Sequence, residues 1–292
     1  MADILLLGAS GQVGFELMRT LTALGSVLAP RRRELDLSNG QAVRQYLADT
    51  RPGLIVNAAA WTAVDAAEEK AAEAERLNAQ LPAQLAEYAS ATATRLVHYS
   101  SDYVYPGTGC QPWRETSDPS PLNQYGRTKL AGDQAIEQSG ADYLIFRTSW
   151  VYSARGNNFM KTMLCLAQSK SELNIVADQI GAPTPARLLA QVTMLAIHSQ
   201  LAKGLYHLAA KGETSWHGFA QEILRLARQA GRQTTLGPEN AYPIPTCDYP
   251  TPAIRPLNSR LTVSKLETAL NIRLPDWQSQ LALTLDEYLE RS

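Results

Sequence analysis

Ile4–Leu7 is an unbroken apolar run that leads straight into Gly8-Ala9-Ser10-Gly11-Gln12-Val13-Gly14 and on into a helix-like stretch. No feature narrows the possible folds more. A strand without polar alternation must be covered on both faces, and one that ends in glycines before a helix opens a β-α unit. The pattern then repeats. Further strands are expected at Val27–Ala29, Leu54–Asn57, Leu96–Tyr99 and Tyr143–Arg147, separated by helices at Val13–Leu24, Gln41–Ala48, Ala71–Ala93 and Gln124–Gln138. Alternating strand and helix imply a Rossmann-like, doubly wound parallel α/β sheet. After about residue 150 prolines accumulate (Pro183, Pro185, Pro238, Pro243, Pro245, Pro250, Pro252, Pro256), with helices expected at Ala186–His198, Ser215–Ala230 and Asp276–Leu289. Irregular connections of this kind suggest a smaller C-terminal lobe over residues 151–292, some of whose segments return to the main domain of residues 1–150.

Composition removes several function classes. With 292 residues, 45% of them hydrophobic, the chain buries one large core or a main core plus a lobe. A net charge of -1 argues against nucleic acid or an anionic membrane as partner. The start, Met1-Ala2-Asp3, has no basic segment before its short apolar run, whereas a membrane span needs about 20 apolar residues. Cys110, Cys165 and Cys247 are odd in number and far apart, so they read as packing thiols in a reducing cytoplasm rather than as a disulfide or zinc framework.

Glycines at a strand–helix junction let the backbone turn sharply and approach a pyrophosphate, with free N–H groups at the helix start as donors. The spacing is G-x-x-G-x-x-G, not the general G-x-G-x-x-G, and Gly8 alone would serve to end a strand. On this reading Gly8, Gly11, Gln12, Val13 and Gly14 bind a dinucleotide. At the end of the second strand, where NAD sites usually carry an acidic residue, stands Ala29-Pro30-Arg31-Arg32-Arg33. Arg31 and Arg32 suit a 2′-phosphate, so NADPH is favoured, with NADH possible because Glu34 and Asp36 lie close by. The alternative is a solvated charge run. After the third strand, Asn57-Ala58-Ala59-Ala60-Trp61-Thr62 offers small side chains that suit either a flat ligand or tight helix packing.

Tyr125-Gly126-Arg127-Thr128-Lys129 places a phenol and an ammonium on one helix face. A nearby cation is expected to lower the tyrosine pKa and make Tyr125 a proton donor and acceptor for carbonyl reduction. The fourth strand ends in Val97-His98-Tyr99-Ser100-Ser101-Asp102-Tyr103-Val104. Ser101 would steady the developing negative charge on a carbonyl oxygen, Ser100 being its rival, and His98 reads as a packed histidine.

Together with Arg147-Thr148-Ser149-Trp150-Val151-Tyr152, Gly156-Asn157-Asn158-Phe159, Asp178-Gln179-Ile180-Gly181-Ala182-Pro183-Thr184 and Arg255-Pro256-Leu257-Asn258-Ser259-Arg260-Leu261, these stretches cover essentially the whole chain. The combination resembles the extended branch of the short-chain dehydrogenase/reductase superfamily, and within it the sugar-nucleotide reductases. The resemblance implies reduction of the 4-keto group of dTDP-4-dehydro-L-rhamnose, with Tyr125 as proton donor and Lys129 as its partner on the nicotinamide ribose. Ser101 falls where those reductases typically have threonine. The resemblance also implies substrate contacts from Asp102, Trp150, Asn158 and Arg255, and cofactor contacts from Asp36, Leu37 and Ala60 to Thr62.

Two departures from that family matter. Some members form dimers bridged by magnesium; Glu16 matches one ligand, but Arg187 stands where a second glutamate is expected, and a cation cannot ligate magnesium. The expectation is no bound metal and a monomer or weak homodimer. Arg31, in place of an acidic residue, is the second departure. Rival readings are another 4-ketoreductase, an epimerase that retains its NAD, and a catalytically silent regulatory subunit. Against a dehydratase, Asp102 is followed by Tyr103 rather than glutamate.

Overall fold

The computed structural model describes residues 3–290. Six parallel strands form the central sheet: β1 (Ile4–Leu7), β2 (Val27–Leu28), β3 (Leu54–Asn57), β4 (Arg95–Ser101), β5 (Asp142–Thr148) and a sixth strand, Gly204–His207. Their spatial order is β2-β1-β3-β4-β5 followed by the sixth strand. The order in which strands are added therefore reverses between β1 and β3, and ligands of such sheets lie outside the carboxyl ends at that switch point.

Unbroken apolar strands become two cores because side chains alternate across the sheet. Ile4 and Leu6 join one cluster, which extends to Leu17, Phe146, Phe219 and Leu281; Leu5 and Leu7 join the other, with Val43, Leu85 and Ile136. Gln12–Leu21 forms α1 and Gly40–Thr50 forms α2, the latter capped by Asn39, whose side chain accepts from Gln41 N and Ala42 N. The expected helix over 71–93 is present, but its middle, Arg76–Gln80, widens into a π turn before Leu81–Thr92. Buried Asn78 sits in this turn and bonds both the N–H and the carbonyl of Trp61, at 2.9 and 3.0 Å, so the bulge serves the loop after β3.

The strand Gly204–His207 and the helix Phe159–Ser169 are absent from the sequence expectations. Gly-Leu-Tyr-His is short and begins with glycine after Lys203, and only its pairing with β5 makes it a strand. Among the described residues, the second half adds three two-stranded pairs, including Leu173–Val176 with Ala241–Ile244 and Val151–Tyr152 with Thr184–Pro185. The thiols differ from expectation: Cys110, Cys165 and Cys247 are all free and exposed. Cys165 lies on the outer face of a helix that buries Met160, Met163, Leu164 and Ala167.

Candidate active site

Two adjoining hollows lie at the carboxyl ends of the strands. A groove of about 840 Å³ runs over Gly8–Gly11, Arg31, Arg32, Asp36, Leu37 and Ala58–Trp61. A cavity of about 750 Å³ continues from it past Gln12 and Val13 to Ser101, Asp102, Tyr125, Lys129 and Trp150. Ala58 and Ala60 line both. A dinucleotide bridging the two would span from the basic turn after β2 to the Tyr–Lys pair.

The glycines divide the work. Gly8 has φ of +81°, and a Cβ there would stand 2.6 Å from the Ala58 carbonyl carbon. Only glycine lets this turn pass so close to the loop after β3. Gly14 lines neither hollow; a Cβ on it would meet the Gly8 carbonyl oxygen at 2.1 Å. Its role is helix–strand packing, which corrects the expectation of a direct cofactor contact. The basic turn is equally differentiated: Arg33 faces Glu34 at 3.7 Å, whereas Arg31 and Arg32 line the groove. Asp36 is occupied by the Ser38 N–H and hydroxyl, at 3.0 and 2.8 Å, and these hydrogen bonds hold its pKa down.

The helix Gln124–Gln138 carries Tyr125 and Lys129 and is capped by Asn123, whose side chain accepts from Gly126 N at 2.8 Å. Gly126 lets the helix press on the loop after β4, since a Cβ would lie 2.3 Å from the Tyr103 carbonyl oxygen. The phenol of Tyr125 lines the same cavity as Ser101, which tempers its pKa, and packs edge-on to Tyr103, centroids 5.4 Å apart. Lys129, 1% exposed, donates to the Tyr99 carbonyl at 2.6 Å, with His98 Nε2 at 3.3 Å. Burial lowers its pKa to about 8, opposed by the attraction of Asp133.

Tyr125 departs from the sequence expectation of a lowered pKa. Burial, with the Asp102 and Asp133 charges, pushes it up to about 12 against the Ser101 hydrogen bond. The ammonium expected to lower it is turned to Tyr99 instead. At neutral pH the phenol is therefore fully protonated, the state required of a donor.

Adjacent serines separate by pleating. Ser100 donates to Asp133 Oδ2 at 2.8 Å, part of a buried group in which Arg147 Nε meets the same oxygen at 3.0 Å. Ser101 faces Tyr125 and donates to Asp102 Oδ1 at 3.0 Å. Asp102 is 2% exposed, its Oδ2 has no hydrogen-bond partner among the described residues, and burial raises its pKa to about 6. That oxygen is shielded from solvent, and the Ser259 hydroxyl favours the charged carboxylate against burial.

Two expected substrate contacts lie elsewhere. Asn158 caps the helix Phe159–Ser169 through Lys161 N and donates to Gln12 Oε1 at 2.8 Å. Arg255 is held by Asp65 at 2.6 Å and does not line the cavity. Asn158 is taken up by its helix cap and by Gln12, whereas Arg255 keeps a buried Nη1 with no hydrogen-bond partner among the described residues. Residues the sequence reading missed do line the cavity: Arg155, Asn157 and Trp216. Arg187, expected to disable a metal site, reaches Glu16 at 3.5 Å and also pairs with Glu287.

Comparison with known proteins carries the same pattern. The model of the family described as RmlD substrate binding domain matches residues 1–290. A dTDP-4-dehydrorhamnose reductase of Shigella flexneri is 47% identical over 98% of this chain and 97% of its own length. The chain belongs to the dTDP-4-dehydrorhamnose reductase family. Another such reductase, from Burkholderia thailandensis, is 43% identical over 99% of both chains. Among solved structures, the dTDP-4-dehydrorhamnose reductase of Clostridium acetobutylicum superimposes with a TM-score of 0.91, at 35% identity, covering 99% of this chain and 100% of that one. The Bacillus anthracis reductase, crystallised in complex with NADP, gives a TM-score of 0.89 at 32% identity over 98% and 99% of the two chains. A UDP-glucose 4-epimerase of Thermus thermophilus, only 19% identical, shares the fold with a TM-score of 0.79. No described helix is long and apolar enough to cross a membrane.

Proposed function

We propose that this chain reduces the 4-keto group of dTDP-4-dehydro-L-rhamnose with NADPH, giving dTDP-L-rhamnose. The observation that carries the reading is that Tyr125, Lys129 and Ser101 line one cavity that begins at the glycine turn. The groove fits a dinucleotide: Gly8, Gly11 and Ala58–Ala60 leave room for its backbone approach, and Arg31 and Arg32 suit a 2′-phosphate. Bound reduced nicotinamide supplies the hydride to carbon 4 of the sugar.

The protein's own groups complete the reaction. When substrate binds, the Ser101 hydroxyl turns its proton from Asp102 Oδ1 to the ketone oxygen and steadies the charge that develops there. Tyr125 gives that oxygen its phenolic proton, leaving a hydroxyl on the product. Lys129 holds the nicotinamide ribose and balances the transient phenolate. Asp102 accepts from a sugar hydroxyl, and Trp150 covers the sugar ring. Arg255 and Asn158 act at one remove, by fixing the loops around the site.

Reduced cofactor should be consumed one for one when the chain is given dTDP-4-dehydro-L-rhamnose, with product stereochemistry read by NMR. No net NADPH consumption would overturn the reductase reading in favour of an epimerase that keeps its nucleotide. We place the protein in the cytoplasm, on its free thiols, as a monomer or weak homodimer independent of divalent metal.

A further inference from the structure

The segment Asp178–Thr184 contributes no group to the chemistry proposed above, yet it lies against the cavity wall. Trp150 and Trp216 both line that cavity, and their rings are stacked at 3.7 Å with planes 9° apart. Trp150 has φ of +49°, in the left-handed region that a bulky residue rarely occupies. Its conformation is therefore held by its surroundings.

Those surroundings come from segment 178–184. Gln179 Oε1 accepts the Trp216 indole N–H at 3.0 Å, and Gln179 Nε2 is itself tied to Thr246 Oγ1 at 3.1 Å. A Cβ on Gly181 would lie 2.8 Å from Trp150 Cε2 and 3.0 Å from its Nε1, so glycine makes room for that ring's edge. Thr184 N donates to the Trp150 carbonyl at 3.2 Å, and Ser149 Oγ to Ala182 O at 3.2 Å. Phe159 supports the pair from Trp216's side, centroids 4.7 Å apart.

We infer that Trp216 is a specificity-determining residue: with Gln179 and Gly181 it fixes Trp150 in a two-indole wall that receives the apolar face and methyl group of a deoxy sugar. The inference rests on the proposed reductase activity and deepens it. Indole faces favour carbon-bound hydrogens, and two rings locked against each other lose little freedom when a ligand arrives. Trp216 itself acts partly through Trp150 and is a positioning residue in that respect.

Two variants disturb the wall from opposite sides. In steady-state assays with NADPH and dTDP-4-dehydro-L-rhamnose, Trp216→Leu should raise the sugar-nucleotide KM about tenfold, while Trp216→Phe restores most of the loss. Gly181→Ala, which displaces the Trp150 ring, should raise the same KM. The dissociation constant for NADPH alone should stay within about twofold in all three, because the glycine groove is untouched. Unchanged KM in both Trp216→Leu and Gly181→Ala would overturn the inference, as would a parallel loss of NADPH affinity, which marks general loosening. Should Trp216→Leu fail to fold, Gly181→Ala and Trp216→Phe still decide it. If the wild-type protein shows no turnover, the reductase reading fails by itself. Calorimetric titration with dTDP-L-rhamnose and with dTDP then tests the wall separately: the sugar's added affinity must fall in Gly181→Ala, and its retention overturns the proposal.

Discussion

Single side chains here do chemistry by being denied water. Burial moves Tyr125 up to about 12 and Lys129 down to about 8, leaving at neutral pH a protonated phenol and a buried ammonium that is turned to the Tyr99 carbonyl. Tyr125→Phe should cut kcat by about 10²–10⁴-fold with NADPH affinity retained, as measured by cofactor titration. Activity near the wild-type level would remove Tyr125 from the reaction. Asp102 bears a cost for its position. Its folded pKa of about 6 lies above the ordinary carboxylate value of 3.8, so the native state binds more protons than the unfolded chain between those limits. The sign follows: its destabilising effect is absent below about pH 4, grows as pH rises and is complete above about pH 6. Asp102→Asn should therefore raise the melting temperature at pH 7.5, by an amount reflecting at most a few kcal/mol, with the gain shrinking toward pH 4. Turnover should fall in the same variant. Arg31 and Arg32 are separable from both residues. Changing them to alanine should raise the KM for NADPH about tenfold and leave that for NADH nearly unchanged; equal KM values for NADPH before and after would refute the 2′-phosphate assignment.

Secondary elements meet the site through close backbone approaches. Helix α1 packs so tightly over the glycine turn that Gly14 has no space for a methyl group beside Gly8. Gly14→Ala should destabilise the protein by about 1–3 kcal/mol in denaturant titrations and weaken NADPH binding as the turn shifts. A stable variant with normal cofactor affinity would mean that α1 can retreat without moving the turn. The π turn at Arg76–Gln80 shows the same economy, because it delivers Asn78 to the loop that carries Trp61. The expectation of one helix there was sound in its extent, but a 3.6-residue period cannot reveal one extra residue in a turn.

At the scale of the whole molecule, the two halves are not segregated along the chain. Gly204–His207 completes the main sheet beside β5, and the C-terminal helix Trp277–Glu290 packs into the same core through Leu281 and Leu285. Arg187 joins three parts of the sequence by pairing with Glu16 of α1 and with Glu287 near the end of the described chain. Glu16 is only 5% exposed, so removing its partner strands a nearly buried carboxylate. Arg187→Ala should lower the melting temperature, with a loss of about 1–3 kcal/mol discounted for the partial exposure of the arginine. Sedimentation should give the same mass with and without a chelator. A dimer that forms only with magnesium would refute the metal-independent assembly.

The alternation of the first five strands with helices, the glycine turn, the basic residues after β2 and the Tyr–Lys pair were legible in the linear chain. Each depends on spacing within a few residues, which helix and strand periodicities translate directly into geometry. What the chain alone left open was decided by contacts between distant segments. Pleating and the position of Asp133 turn Ser101 rather than Ser100 toward Tyr125; Asp65 holds Arg255, and Asn158 stands behind Gln12 in the cavity wall. Trp216 reaches the site only because segments far apart in sequence stack one indole on another. Periodicity specifies the face on which a side chain starts; only packing determines which neighbour satisfies it.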